Sequence, residues 1–161
     1  LASKGPNRFK SSLLSQLEYI KYSSPVFVSI GEIDCRNDEG IIPYCIKYSE
    51  DINQITFNTT LNSLNYLISQ LSKLTTRIYI FGIAAPVVNR EFDQLTKLEV
   101  QRINLIRKFN DQLKESCITL DLNYVDIYGL TKDENGINNN LHMLDEYHLN
   151  PNSLISLLEN I

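Results

Sequence analysis

Residues 25–36 read Pro25-Val26-Phe27-Val28-Ser29-Ile30-Gly31-Glu32-Ile33-Asp34-Cys35-Arg36, and the reading of this stretch decides the fold. The first half, residues 25–30, is a short apolar and β-branched run opened by a proline, the pattern of a buried strand. The second half breaks at Gly31 and crowds Glu32, Asp34, Cys35 and Arg36 into the turn that follows. A turn that only redirects the chain needs a glycine and little else. The additional acids, thiol and guanidinium point to a site at the end of the strand. In open α/β sheets functional groups gather in the crevice outside the carboxyl ends of the strands.

Working outward, Leu13, Leu14, Leu17 and Ile20 recur at helical spacing and predict a helix over residues 11–22. On the other side, residues 31–55 carry Gly31, Gly40 and Pro43 and read as a long loop. Leu61, Leu64, Leu67, Ile68, Leu71 and Leu74 predict a helix over 57–74. RIYIFGIAAP, residues 77–86, reads as a second buried strand. The stripe through Leu95, Leu98, Ile103, Ile106, Phe109 and Leu113 predicts a helix over 95–116. LNYVDIYGL, residues 122–130, reads as a third strand, and Leu154, Ile155, Leu158 and Ile161 predict a short closing helix. The order α-β-α-β-α-β-α implies parallel strands joined by right-handed crossovers, hence one layered α/β domain over 1–161.

Bulk composition narrows the function. The chain has 161 residues, 43% hydrophobic and 21% charged, and a formal net charge of −4, with no basic footprint for nucleic acid or an anionic membrane. No apolar run approaches the roughly 20 residues that span a bilayer. Cys35, Cys45 and Cys117 are odd in number and form no CxxC pair, which argues against a disulfide scaffold and favours a reducing compartment such as the cytoplasm. Three cysteines and two histidines without ligand spacing do not make a zinc site, so no metal is expected. No Gly-rich or Ser/Thr-rich phosphate loop appears, so no nucleotide or flavin cofactor is expected either.

The most informative polar pair is Asp145 and His148, in DEYHLN. A carboxylate three residues before a histidine can accept its Nδ1–H, fix the tautomer and stabilise an imidazolium, leaving Nε2 as a base. The competing reading makes Asp145 or Asn150 a helix cap and His148 a surface residue. For Gly31 to Arg36 the alternatives are a solvated turn whose charges pair locally, Arg36 with Asp34 or Glu39, and a ligand site in which Arg36 binds a carboxylate or phosphate.

The succession of a strand ending in G-E-I-D, a strand ending in proline, a V-D strand and a final D-x-x-H-L-N before a helix resembles the SGNH (GDSL-type) hydrolase superfamily. The resemblance covers about residues 25–161. It implies a three-layer flavodoxin-like parallel sheet with helices on both faces, and esterase, lipase or carbohydrate deacetylase activity without a cofactor. Gly31 and Asp34 match the family's G-x-N-D motif, while Ile33 stands where the motif has its oxyanion-hole Asn. Asp145 and His148 match the family's D-x-x-H, whose Asp and His are catalytic. The GEIDCR stretch resembles a divergent subgroup met near glycan-modifying enzymes.

The resemblance therefore implies that His148 is the general base, Asp145 its orienter and the Gly31 N–H an oxyanion contributor, with Asp34 and Arg36 lining the substrate site. The acyl substrate would be a small molecule or a glycan. The family's nucleophile, the serine of a Gly-Asp-Ser strand ahead of the first helix, has no counterpart here, because Ser3 in LASKG follows no apolar strand. A domain incomplete at its N-terminus, with the serine upstream, is one expectation. A catalytically inactive or divergent binding domain associated with glycan biosynthesis is the alternative. In either case the PVFVSI strand would be an apolar edge, which predicts self-association or completion of the sheet by an upstream segment.

Overall fold

The protein is described from a computed structural model that covers residues 8–74, 77–89, 92–146 and 148–158. In chain order the elements are α1 (Arg8–Leu17), β1 (Val26–Ser29), α2 (Ile41–Tyr48), α3 (Ile52–Leu71), β2 (Ile78–Phe81), α4 (Lys97–Thr119), β3 (Asn123–Val125), α5 (Ile127–Thr131) and α6 (Pro151–Leu158). Short 3-10 turns stand at Ile33–Cys35 and Phe92–Gln94. The three strands form one parallel sheet in the order β1-β2-β3, with Val28 opposite Ile80 and Ile80 opposite Tyr124. The expected α/β class and parallel sheet are present.

Because strand order follows chain order, right-handed crossovers place α3 and α4 on the same side of the sheet. The two helices pack on each other. Leu64, Leu67 and Leu71 from α3 and Ile106, Phe109, Leu113 and Cys117 from α4 form the core with Ile78 and Ile80, and Val26 and Val28 pack against it. Phe109 is fully buried. The alternation along β1 and β2 sends Phe27, Tyr79 and Phe81 to the other face. There the Phe27 and Tyr79 rings stack at 4.9 Å and Phe81 lies 5.8 Å from Phe27.

Several boundaries differ from the sequence expectation for identifiable reasons. The region 31–55 is not a single loop. Gly40, at φ 90°, is the N-cap of α2, and Pro43 sits in that helix's first turn, where no intrahelical N–H is required of it. Ile41, Ile42 and Cys45 are its buried face. Helix α3 starts at Ile52 rather than near 57, because Asp51 accepts a 2.8 Å bond from the Gln54 N–H and caps it. Helix α4 opens on a capping box, Thr96 with Glu99, and runs to Thr119. The third strand is only three residues long. The Asp126 carboxylate then accepts the Gly129 N–H at 2.7 Å and starts α5. The closing helix α6 begins at Pro151, earlier than the stripe suggested.

The end of β2 is shaped by side chains. The Gly82 N–H still bonds to the Val125 carbonyl at 3.0 Å. After that the chain leaves the ladder, and the buried Asn110 of α4 takes over the role of a neighbouring strand. Its Oδ1 accepts the Ile83 N–H at 2.8 Å, and its Nδ2 donates to the Ile83 carbonyl at 3.1 Å. Two residues on, the Ala85 N–H donates to Thr131 Oγ1 at 2.9 Å, and Asn138 Nδ2 donates to the Ala85 carbonyl at 3.0 Å. The stretch expected as strand through residue 86 is thus extended, but its backbone partners are buried amides and a hydroxyl. Among the described residues no helix is long and apolar enough to cross a membrane.

Candidate active site at the carboxyl ends of the strands

Three chain segments meet where the strands end. From β1 come Ser29 and the turn 31–36. From β2 comes the wall 82–86. From the loop before α6 come Asp145 and His148. That loop doubles back on itself. The Leu144 N–H donates to the His148 carbonyl at 2.7 Å, the Asn150 N–H to the His142 carbonyl at 2.8 Å, and Met143 bridges Leu149 in antiparallel fashion. The Asp145–His148 pair therefore sits at the tip of a small hairpin, outside helix α6. The capping alternative holds for Asn150 instead, whose Oδ1 accepts the Asn152 N–H at 3.0 Å in the first turn of α6.

Within the tip, Asp145 Oδ1 accepts the His148 backbone N–H at 2.8 Å, and the two carboxylate oxygens lie 2.9 and 2.8 Å from His148 Nδ1. An ionised carboxylate only accepts, so Nδ1 carries the proton and Nε2 is left as the basic nitrogen. The side chains are 73% and 55% exposed, so the pair stands at the rim of the crevice and is screened by water. The other histidine, His142, is separate: its Nδ1 lies 3.1 Å from Ser153 Oγ and ties the hairpin to α6.

Two cavities open on this rim. One, of about 280 Å³, lies over the 82–86 wall and is lined by Phe81, Ala84, Pro86, Arg102, Glu146 and Leu154 among others. The other, of about 530 Å³, runs along β1 between Leu13, Val28, Ile30 and Leu67, with Asp34 and Arg36 at its polar end. Ser29, Glu32 and His148 line both, so they mark the junction of the two cavities. Apolar walls with a few convergent polar groups are the usual form of a small-molecule site.

The turn 31–36 is locked from two directions. Gly31 has φ 93°, and a Cβ there would stand 2.4 Å from the Phe109 ring, so only glycine passes. Gly40, also at positive φ, packs against the Asp34 carbonyl, where a Cβ would come within 2.4 Å. The Cys35 N–H closes the turn onto the Gly31 carbonyl at 3.1 Å. Cys35 is 1% exposed, and burial with the neighbouring Asp34 charge pushes its thiol well above the ordinary value. It is a packing residue, not an activated nucleophile.

Arg36 is engaged within the turn. Its Nε and Nη2 bond Glu32 Oε1 and Oε2 at 2.8 and 2.9 Å, a bidentate fork, and Nη1 bonds Glu39 Oε1 at 2.8 Å. This arrangement fixes the Glu32 carboxylate at the cavity junction. Burial pushes the Asp34 carboxyl above its usual range, with the Glu32 charge adding to the effect. The expected site residues Gly31, Asp34, Arg36 and His148 all line the larger cavity, and Asp145 holds His148 from behind.

Residue-type patterns placed Glu32 in the crowded turn without giving it a role, and they did not single out Ser29 or Asn110. Asn110 had a visible signal: an amide on the apolar stripe of α4, between Phe109 and Leu113, needs a buried partner. Among the described residues no cluster of His, Cys, Asp and Glu is arranged to hold a metal ion. No protein-family model and no curated protein matches the chain.

Proposed function

We propose that the chain is an SGNH-like hydrolase domain of flavodoxin-like layout that cleaves an acyl ester, on a carbohydrate or glycan. The observation that carries this reading is the Asp145–His148 pair, at 2.8 Å and with Nε2 left basic, at the mouth of two cavities where parallel strands end. His148 acts as general base and then as general acid, and Asp145 holds its tautomer and stabilises the imidazolium. The Gly31 N–H contributes to the oxyanion site. Glu32, its oxygens oriented by Arg36, accepts hydrogen bonds from substrate hydroxyls, which suits a polyol better than an anion. Ile33 offers no donor where the family has Asn, and the loss of one oxyanion donor costs about 10²–10³ in rate. A slow esterase is expected.

The test is hydrolysis of p-nitrophenyl acetate by the chain and by His148→Ala. Turnover in the parent that falls by about 10²-fold or more in the variant, with an unchanged melting temperature, supports the reading. Equal rates in the two proteins overturn it and favour the ligand-binding alternative.

A further inference from the structure

Among the described residues the two cavities share three lining side chains, and their chemistry is specific: a hydroxyl on Ser29, a carboxylate on Glu32, and the Asp145-backed imidazole of His148. Ser29 is the last residue of β1, paired in register with Phe81, and it is exposed. The alternation along β1 turns its side chain to the same face as Phe27, away from the α3–α4 core. A serine at the carboxyl end of a parallel strand, lining the same two cavities as a carboxylate-oriented histidine, puts a hydroxyl and a base on one crevice, as a hydroxyl nucleophile requires of its surroundings. The other serine lining the larger cavity, Ser63, is 3% exposed on α3 and does not reach the smaller cavity. Among the described lining residues, Ser29 is thus the one hydroxyl placed at the junction with His148.

From this placement we infer that Ser29 is the nucleophile of this site, with His148 as its base. The inference rests on the hydrolase reading above and names the group that reading leaves open. Ser29 Oγ attacks the acyl carbon, forming an O–C bond, and its proton passes to His148 Nε2. The carbonyl electron pair moves to oxygen and is held beside the Gly31 backbone. Collapse breaks the ester C–O bond, and the leaving alcohol takes the proton from His148. Water then attacks the acyl–Ser29 ester by the same route in reverse, releasing the acid and restoring both side chains. Glu32, its two carboxylate oxygens held by Arg36, forms a polar wall beside the nucleophile.

The experiment is covalent labelling with a biotinylated fluorophosphonate, followed by tandem mass spectrometry of the adduct and parallel p-nitrophenyl acetate kinetics. The expected result is a single adduct on Ser29, lost in Ser29→Ala and weakened by about 10²-fold or more in His148→Ala. Both variants should keep the parent melting temperature, since Ser29 and His148 are exposed. Ser29→Cys should remain acylated by the ester substrate and become reactive with iodoacetamide. An adduct mapped to a different residue, or Ser29→Ala with undiminished His148-dependent turnover, overturns the assignment while the hydrolase reading stands. No adduct and no turnover in the folded parent overturn both.

Discussion

At Gly31 two independent constraints meet, a positive φ and a ring face 2.4 Å from where a Cβ would stand. Gly31→Ala should therefore destabilise the fold by about 2–4 kcal/mol, combining backbone strain with overpacking against Phe109. Urea unfolding of the variant checks this, and a change below about 0.5 kcal/mol would show that the turn relaxes freely. Asp34 gives a pH signature. Its folded-state value lies above the unfolded one near 3.9, so the folded chain binds more protons in the window above pH 4, and stability falls as pH rises through it. Asp34→Asn removes that loss. The variant should match the parent below about pH 4 and gain on it as pH rises toward 7, as read by denaturant midpoints across the series. Cys35 and Cys117 illustrate a third residue-scale point. Burial raises both thiols, Cys117 to about 11, so a thiol reagent should modify neither in the folded protein near pH 8 and both after denaturation.

At the scale of elements, the site depends on where β2 stops being a strand. Asn110 satisfies both polar groups of Ile83, and its Oδ1 also lies 3.2 Å from the Tyr124 hydroxyl, which donates to it. Gly82 is the backbone position that lets this happen, since a Cβ there would meet the Tyr124 hydroxyl at 2.5 Å and Asn110 Oδ1 at 2.6 Å. Replacing Asn110 by Leu leaves a buried N–H and a buried carbonyl without partners and should cost about 2–4 kcal/mol. A thermal melt measures the loss. Esterase activity at a temperature where the variant is folded should also fall, because residues 82–86 form one wall of the cavity that His148 lines. Full activity in that folded variant would show that the wall does not shape the site. The helix ends carry less risk: the capping box at Thr96 and the Asp51 cap are local signals, and each is worth about 1 kcal/mol.

At the scale of the whole molecule, the described sheet has β1 at an edge, beside a cavity of about 530 Å³ lined by Leu13, Val28, Ile30 and Leu67. In a parallel ladder, alternate backbone groups face alternate neighbours. The Val26 N–H bonds to the Arg77 carbonyl at 2.9 Å, so the Phe27 and Ser29 backbone groups face outward. An uncharged edge of this kind recruits another strand. The chain should therefore self-associate with rising concentration, and Phe27→Lys should shift it toward monomer in sedimentation velocity. A parent that stays monomeric across the range overturns this expectation.

The sequence by itself determined the α/β class, the three strands and their parallel sense, because apolar periodicity and alternation of elements are local properties of the chain. It overstated their burial, since β1 lies at the edge of the described sheet with Phe27 and Ser29 exposed. The spacing of Asp145 and His148 also made their pairing legible, since a three-residue separation lets two side chains meet in a tight turn as well as in a helix. It did not reveal α2, because Gly40 and Pro43 read as breakers until their positions as cap and first-turn residue are known. Nor did it show that β2 ends at Phe81, since Asn110 reaches Ile83 from 27 positions away. The junction of Ser29, Glu32 and His148 was likewise decided only by the tertiary structure. Those residues lie more than a hundred positions apart in part, and only the sheet, with α3 and α4 packed on one side, brings them to a common edge.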